Sequence, residues 1–380
     1  MHTVYLDNCA TTRCRDEVVE VMLPLLGEQF GNPSSAHVMG RLARREVDRG
    51  VAAVARFVNA DPAELTITSG ATESNNLVML GAFELHERAP ANVVTSPLAH
   101  KSTLEVAKEL ARRGVEVRTA PVSRSGQVDL RALRGLVDDN TRLVTVDWVN
   151  SEIGTVQDVP AIAEVCRAHD TLLHVDAVQA AGRIPIDVAA LGVDALSLSA
   201  HKVYGPKGIG ALYVRASRQH RIRPLSFGGG QNRLRSGTLP THLIVGFARA
   251  CDLARQELAA NTERARWLRQ IVCDRVFAAV PGAKLNNDPE VSVPHIINVS
   301  FPGVTGESLV SSLSKVAIST GSACNSTSLQ PSHVLKGIGL DDADANSAVR
   351  ISLDPTMDEA DLRYGLDVLC DRVLALRQEF

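Results

Sequence analysis

The sequence predicts an α/β protein with a mostly parallel sheet, and three observations support this fold class. Short apolar segments typical of buried strands alternate with amphipathic segments typical of helices. Seven strand-like segments lie between residues 65 and 214, which is enough for one large sheet. The polar residues with reactive side chains directly follow these segments, and ligands of parallel sheets gather at the carboxyl ends of strands.

The predicted elements of the large sheet follow one another in regular order. The strands are predicted at residues 65–68, 93–96, 115–119, 143–147, 172–176, 195–199 and 209–214. Helices are predicted between them at residues 72–87, 102–113, 130–137 and 159–169. The helical spacing of their apolar residues distinguishes these predicted helices from the predicted strands, which are short runs rich in β-branched residues. We therefore expect a large domain over residues 15–255.

A smaller α+β unit is predicted after this alternation ends. A long helix at about residues 241–279, rich in Arg and Glu, links the two units. Strands follow at residues 296–301, 316–318 and 348–353, with helices at 307–314 and near 358–376. We expect a small domain made of residues 1–14 and 256–380, which carries a loop rich in Gly, Ser and Thr.

The composition excludes several function classes. The chain has 380 residues and a formal net charge of −3, so no basic face predicts direct binding of nucleic acid. No apolar run approaches the roughly 20 residues that span a bilayer, and the N-terminus lacks signal-peptide features. The 7 cysteines lack regular spacing, and neither CxxC nor HExxH occurs, so we expect no disulfide framework and no metal site. A cytoplasmic globular protein is predicted.

The segment Ser-Ala-His-Lys-Val-Tyr-Gly-Pro-Lys-Gly, at residues 199–208, lies between two predicted strands. Its Lys202 stands at a strand end, beside a hydroxyl group and an imidazole and before a Gly/Pro turn. An amine held partly out of water among such groups can form a Schiff base with a carbonyl compound. A solvated loop is the alternative, so the interpretation of Lys202 depends on the other motifs.

Three further motifs follow predicted strands. Gly70-Ala71-Thr72 begins a helix with small residues, whose free N–H groups favour an anion such as phosphate, although an ordinary N-cap is the alternative. No Walker or GxGxxG pattern is present, which disfavours a nucleotide. Asp176 can hold a protonated cofactor nitrogen or cap a helix. His100 can stack on a cofactor and move protons, or lie in a surface loop.

Cys324 lies in the loop Thr-Gly-Ser-Ala-Cys-Asn-Ser-Thr-Ser, where a thiol is expected to be exposed and nucleophilic as the thiolate. An incidental loop cysteine is the alternative, and Cys9 and Cys14 are further candidates for the same role. The cysteines on predicted apolar faces are Cys166, Cys251, Cys273 and Cys370. Arg350 interrupts an apolar strand, so it needs either a substrate carboxylate or an internal Asp or Glu as its partner.

Together these motifs resemble the pyridoxal-phosphate-dependent cysteine desulfurases, a branch of the class V aminotransferases. The matching segments lie in the same order nearly from end to end, at residues 5–12, 30–35, 68–76, 152–154, 174–179, 201–210, 235–240 and 321–324. The resemblance implies the type I fold of transferases that depend on pyridoxal 5′-phosphate (PLP). It also implies that Lys202 binds PLP covalently and that Cys324 is the catalytic cysteine.

The same resemblance implies roles for the other site residues. Asp176 is the implied partner of the ring nitrogen, Gln179 that of the ring oxygen, and His100 stacks on the ring and takes part in catalysis. The implied phosphate contacts are Ala71, Thr72, Ser199, His201 and, donated by the other subunit of a homodimer, Thr238. Asn150 is an implied neighbour of the cofactor, and Asn32 and Arg350 are implied to bind the carboxylate of L-cysteine.

The implied reaction converts L-cysteine to L-alanine and leaves the sulfur as a persulfide on Cys324 for an acceptor protein. Ala99, Ser151 and Cys9 stand where relatives often have glutamate, asparagine and alanine. Because the chain ends soon after its last predicted helix, we expect a dedicated acceptor in tRNA or cofactor thiolation or in DNA phosphorothioation, rather than an iron–sulfur scaffold. A selenocysteine lyase or another class V PLP lyase is an alternative, and so is a non-catalytic sulfur-relay or interaction protein.

Overall fold

A computed structural model of the protein describes residues 3–84, 91–320 and 331–379. Cys324 therefore lies outside the described residues. The strands, numbered in chain order, are β1 (Val4–Tyr5), β2 (Leu65–Thr68), β3 (Asn92–Thr95), β4 (Glu116–Thr119), β5 (Thr141–Asp147), β6 (Leu172–Asp176), β7 (Ala195–Ser199), β8 (Gly210–Val214), β9 (Lys284–Leu285), β10 (Ile296–Ser300), β11 (Val316–Ala317) and β12 (Ala348–Ser352).

The α-helices surround these strands. They are α1 (Asp16–Leu26), α2 (Val38–Val58), α3 (Ala71–Gly81), α4 (Lys101–Arg112), α5 (Leu130–Leu136), α6 (Val159–Ala168), α7 (Val188–Leu191), α8 (Thr241–Ala279), α9 (Gly306–Ser312), α10 (His333–Gly337), α11 (Asp342–Asn346) and α12 (Glu359–Gln378). None of the helices within the described ranges is long and apolar enough to cross a membrane.

The central sheet has seven strands in the order β2-β8-β7-β6-β5-β3-β4. Strands β3 to β7 run parallel, whereas β8 is antiparallel to both β7 and β2. The predicted α/β class with a mostly parallel sheet of seven strands is therefore confirmed. Because β5, β6 and β7 are parallel neighbours, the residues that follow them meet at one edge of the sheet.

Two predictions about the helices were wrong. The helix predicted at residues 72–87 ends at Gly81, and a turn follows it. Helices α1 and α2 were not predicted, although α2 buries a stripe that includes Val47, Val54 and Val58. Both helices pack against α8. The apolar stripes of α1 and α2 are therefore buried against another helix. An alternation of strands and helices along the sequence does not predict such packing.

Helix α8 joins two hydrophobic cores. Its first part, including Phe247 and Cys251, is buried in the core that covers the central sheet. Its last part, including Leu268 and Val272, is buried in a second core with strands β10 and β12 and helix α12. The long linking helix is confirmed over Thr241–Ala279. The division into domains at residues 15–255 and 1–14 with 256–380 stays a prediction.

Candidate active site

A cavity of about 580 Å³ lies at the carboxyl ends of β5, β6 and β7. Its volume lies within the range usual for sites that bind small molecules and cofactors. Among the residues that line the cavity are nine of the predicted site residues: Ala71, Thr72, His100, Asp176, Gln179, Ser199, His201, Lys202 and Arg350. The fold therefore brings together groups that are separated by up to 279 residues along the chain (350 minus 71).

Lys202 ends a single helical turn that directly follows β7. Its Nζ donates hydrogen bonds to the backbone carbonyls of Cys9 and, at 2.7 Å, of Ala10. The N-terminal segment that holds Lys202 also supplies cavity-lining residues, including Thr11. The lysine amine is therefore anchored inside the cavity and is not part of a solvated loop.

Asp176 is buried at the end of β6, where its two carboxylate oxygens have different partners. Oδ2 accepts a hydrogen bond of 2.7 Å from Asn75 Nδ2, and Oδ1 accepts one of 3.1 Å from the Val178 N–H. The same Asn75 amide donates to Ser102 Oγ at 2.9 Å. Since these contacts fix the carboxylate in place, it is preorganised to face a cationic group in the cavity.

The His100 imidazole caps helix α4. Its Nδ1 accepts a hydrogen bond from the Ser102 N–H at 3.2 Å, and Ser102 Oγ lies 2.8 Å from the same nitrogen. Because a backbone N–H can only donate, Nδ1 is the acceptor, and the proton of a neutral His100 ring lies on Nε2. The cap thus fixes both the position and the tautomer of this ring.

Helix α3 begins at the cavity with the small residues predicted to approach an anion. Gly70 has φ of 152°, and a Cβ atom on Gly210 would lie only 2.7 Å from the Gly70 Cα. This close approach of two backbones requires glycine. The buried Ser199 lies beside this turn, and burial followed by the neighbouring Lys202 charge lowers the pKa of His201 to about 4. Neutral N–H and O–H donors therefore surround the positive end of the helix dipole.

Arg350 is buried, and it has an internal partner. Its Nη2 lies 2.6 Å from Asp7 Oδ1 and 2.7 Å from Ser319 Oγ, and its Nη1 donates to the Ser151 carbonyl at 3.0 Å. The buried Nε has no partner among the residues that the structure describes. Burial opposes the charged form, but the neighbouring Cys9 and Asp7 raise the pKa of Arg350 above its ordinary value. Both sequence interpretations of Arg350 therefore remain open, because an internal carboxylate leaves one N–H group over.

Three predicted site residues do not line the cavity. The Asn150 amide is used within the protein, since Nδ2 donates to the Leu98 carbonyl at 3.0 Å and Oδ1 accepts from the backbone of Glu152 and Ile153. Asn150 thus holds the turn that leads to His100. Asn32 and Thr238 are exposed, and the side-chain Oδ1 of Asn32 accepts from the Ser34 N–H at 2.9 Å.

Sequence reasoning missed three carboxyl groups that line the cavity, those of Glu73, Asp147 and Glu152. Asp147 ends β5 in register with Asp176 on β6. Glu152 accepts a hydrogen bond of 2.5 Å from Ser332, and burial raises the pKa of Glu152 to about 7. The signal for Asp147 was available, because it is the last residue of a predicted buried strand, next to the strand that ends with Asp176.

Comparisons with known proteins agree with this geometry. The profile of the family described as Aminotransferase class-V matches residues 4–364. The chain belongs to this family. Curated relatives include the cysteine desulfurase IscS of Neisseria meningitidis, 44% identical over 377 residues that cover 99% of this chain and 93% of the relative. The IscS of Methylococcus capsulatus is 44% identical over 380 residues, with the same coverage.

Solved structures of class V relatives superpose on nearly the whole chain. A NifS-like protein superposes with a TM-score of 0.92 at 38% identity and covers 98% of this chain and 99% of its own. DndA from Streptomyces lividans superposes with a TM-score of 0.77 at 36% identity, with 92% and 99% coverage. The predicted resemblance to class V enzymes and the type I fold are confirmed.

The class V assignment makes PLP the cofactor, and the cavity residues fit this group. Lys202 provides an amine for the aldehyde, Asp176 a carboxylate for the ring nitrogen, and the start of α3 a set of N–H donors for the phosphate. Two buried oxygens near the ring site, Asn75 Oδ1 and Asp147 Oδ1, have no hydrogen-bond partner within the described ranges.

Proposed function

We propose that the protein is a PLP-dependent cysteine desulfurase that forms a persulfide on Cys324. The observation that carries this proposal is the meeting of Lys202, Asp176 and Arg350 in one cavity of a class V enzyme. The similarity to proteins named cysteine desulfurase, at 44% identity over nearly the full length, supports the substrate. A relative of 36% identity, SspA, has been solved in complex with cysteine.

In this proposal Lys202 binds PLP and Asp176 pairs with the ring nitrogen. When bound, PLP withdraws electrons from the carbon that carries the amino group of cysteine, which makes the hydrogen on that carbon acidic. Lys202 Nζ is placed in the cavity to take and return this proton. The His100 ring is fixed by its Nδ1 acceptor contact, so that the proton of the neutral ring lies on Nε2.

The buried guanidinium of Arg350 provides the carboxylate site in this mechanism. The guanidinium lines the cavity, and Asp7 and Ser319 hold its Nη2 in place. We expect the substrate carboxylate to pair with this fixed charge, which leaves the sulfur of the substrate free to react. The resemblance to the desulfurases implies the same role for Arg350.

The sulfur step requires a thiolate. The Cys324 thiolate attacks the substrate sulfur, an S–S bond forms as the C–S bond breaks, and the electron pair of that bond goes to the carbon side. Protonation of that carbon gives alanine, so no external oxidant or reductant is needed. Burial raises the pKa of Cys166 to about 12 and that of Cys370 to about 11, which disfavours these two thiols as nucleophiles.

Replacement of Cys324 tests the proposal. We expect Cys324→Ser to keep the absorbance of bound PLP and to lose persulfide formation and sulfur transfer from L-cysteine. Cys273→Ser, a half-buried thiol on α8, is the matched control and should keep both. Undiminished turnover of cysteine by Cys324→Ser would support the lyase alternative. Loss of the cofactor absorbance in the wild-type protein would support a non-catalytic relay.

We also propose that the enzyme works as a homodimer in which Thr238 contacts the cofactor phosphate of the other subunit. Two observations support this proposal. Thr238 is exposed and does not line the cavity of its own chain. Phe227 and Phe30, in the segments that also carry Thr238 and Asn32, are 85% and 75% exposed. Light scattering should give twice the chain mass, and a monomeric active enzyme would contradict this proposal.

The sulfur acceptor is proposed to be a protein that receives the persulfide directly. Capture of proteins on the persulfidated enzyme, with Cys324→Ser as the control bait, should recover it. A dedicated acceptor of tRNA, cofactor or DNA modification is the expected result. Recovery of an iron–sulfur scaffold alone would contradict that expectation and would favour a role in iron–sulfur assembly.

A further inference from the structure

Asp147 places a second carboxyl group beside Asp176. The two residues are register partners on the parallel strands β5 and β6, so their side chains leave the sheet on the same face. Both line the cavity. Two neighbouring carboxylates repel each other in a medium of low polarity, so one of the two groups tends to keep its proton.

The two oxygens of Asp147 have unequal surroundings. Oδ2 accepts a hydrogen bond of 2.9 Å from the backbone N–H of His100. Oδ1 is buried and has no partner in the described part of the chain. Oδ1 is therefore the atom that can carry a proton. The Asp147 side chain lines the cavity.

The charged groups near Asp147 do not abolish the tendency of this carboxyl group to keep its proton. Asp176 faces it from β6 and the His100 ring from the start of α4, while Lys202 lines the same cavity after β7. His174, two residues before Asp176 on the same face, is held neutral because burial lowers its pKa to about 4. Burial, followed by the charge of Asp176, raises the pKa of Asp147 to about 8.

We infer that Asp147 holds a proton beside Asp176 in the cofactor-free protein and releases it to solvent when the cationic ring of PLP binds beside the pair. The inference rests on the proposed pairing of Asp176 with the ring nitrogen. A positive ring stabilises both carboxylates, and two carboxylates in turn stabilise the protonated ring. Only an O–H bond of Asp147 breaks in this step, and no electron transfer is involved.

Proton linkage gives the direction of the effect. Because binding releases a proton, the affinity for PLP rises with pH until the pH exceeds the pKa of Asp147 in the cofactor-free protein, and then levels off. The contribution of Asp147 is therefore seen in the ratio of wild-type affinity to Asp147→Asn affinity. This ratio should rise by about fivefold between pH 7 and pH 8.

The test is isothermal titration of full-length, cofactor-free protein with PLP at pH 7, in buffers of different ionisation enthalpy. We expect the wild type to release about 0.9 proton more than Asp147→Asn, because a carboxyl with a pKa of about 8 is mostly protonated at pH 7. The asparagine keeps an oxygen that can accept the His100 N–H, so a purely structural role of Asp147 predicts no difference. Asp139→Asn, which removes an exposed carboxylate beside His169, should match the wild type.

A second measurement is the infrared difference between the cofactor-free and PLP-bound protein. The wild type should lose the carbonyl band of a protonated carboxylic acid that Asp147→Asn lacks, and this comparison removes any contribution from Glu152. Persistence of that band, or equal proton release by wild type and Asp147→Asn, would overturn the inference. Failure of the wild type to bind PLP would instead refute the proposed function, so the two failures are distinguishable.

Discussion

The cavity has two charged regions: in one the two neighbouring groups carry opposite charges, and in the other they carry charges of the same sign. At Arg350 a cation faces the Asp7 carboxylate at 2.6 Å, and the pKa of Arg350 is raised, so the guanidinium stays charged. At the ends of β5 and β6 two carboxyl groups face each other, and the pKa of Asp147 is raised, so this carboxyl tends to be neutral. Arg350 therefore keeps a fixed charge, whereas Asp147 can hold and release a proton.

The difference fits two tasks within one reaction. A substrate carboxylate needs a cation whose charge does not vary with pH, and an arginine with an internal counter-ion meets this need. A cofactor ring that must stay protonated needs negative charge, which a neighbouring carboxyl can supply when the ring arrives. The following predictions test each region, from the largest expected effect to the smallest.

Asp176→Asn should have the largest effect, because it removes the charge that holds the protonated ring. We expect kcat for alanine formation to fall by about 100–1,000-fold. Steady-state assays and the absorbance of bound PLP will measure this change. Asp147→Asn should reduce kcat much less, and an equal loss in the two variants would remove the distinction between a partner of the ring and a group that holds a proton.

Asp7→Asn should destabilise the protein, because it leaves Arg350 buried without its counter-ion. We expect the free energy of unfolding to fall by about 3 kcal/mol in urea denaturation. Asp48→Asn removes the partner of Arg44 in an exposed i,i+4 pair, and this control should change the free energy by less than about 0.5 kcal/mol. Similar losses in both variants would show that burial does not strengthen the Asp7 contact.

Arg350→Lys should weaken substrate binding while the cofactor stays bound. The ammonium keeps the charge but loses the planar set of donors, including Nε, so we expect kcat/KM to fall by about 10–100-fold, mainly through KM. Steady-state kinetics with L-cysteine will separate the two constants. An unchanged KM would assign Arg350 to the internal pair with Asp7 alone.

The smallest predicted effect is a pH dependence of stability in the cofactor-free protein. The folded-state pKa of Asp147, about 8, lies above its unfolded value, so the native state binds the extra proton and loses stability as the pH rises towards 8. Between pH 7 and pH 8, the wild type should lose about 1 kcal/mol more than Asp147→Asn. Denaturation at the two pH values will show this, and parallel losses would contradict it.

His174 provides the opposite sign for comparison. Its folded-state pKa of about 4 lies below its unfolded value, so its contribution to stability is complete above about pH 6.5 and is lost as the pH falls towards 4. Both ring nitrogens are hydrogen-bonded in the core, to Thr145 and Ser197.

The strand ends were predictable because buried β-runs are periodic and their last residues are polar. Lys202, Asp176 and His100 each follow such a run, so the sequence located them at one edge of the sheet. Asp147 has the same position at the end of its predicted strand as Asp176, but it was missed because it lies in none of the segments that carry the family resemblance. The hydrogen bonds of the Asn150 amide depend on the local fold of a turn, which motif spacing does not encode.

The central claim is that sulfur passes from cysteine to Cys324, and one experiment tests it most directly. The PLP-bound enzyme is mixed with one equivalent of L-cysteine, alanine is quantified, and the peptides are analysed by mass spectrometry under non-reducing conditions. The account predicts equal amounts of alanine and of one added sulfur atom on the peptide that contains Cys324. Alanine formed without any added sulfur on that peptide would contradict it.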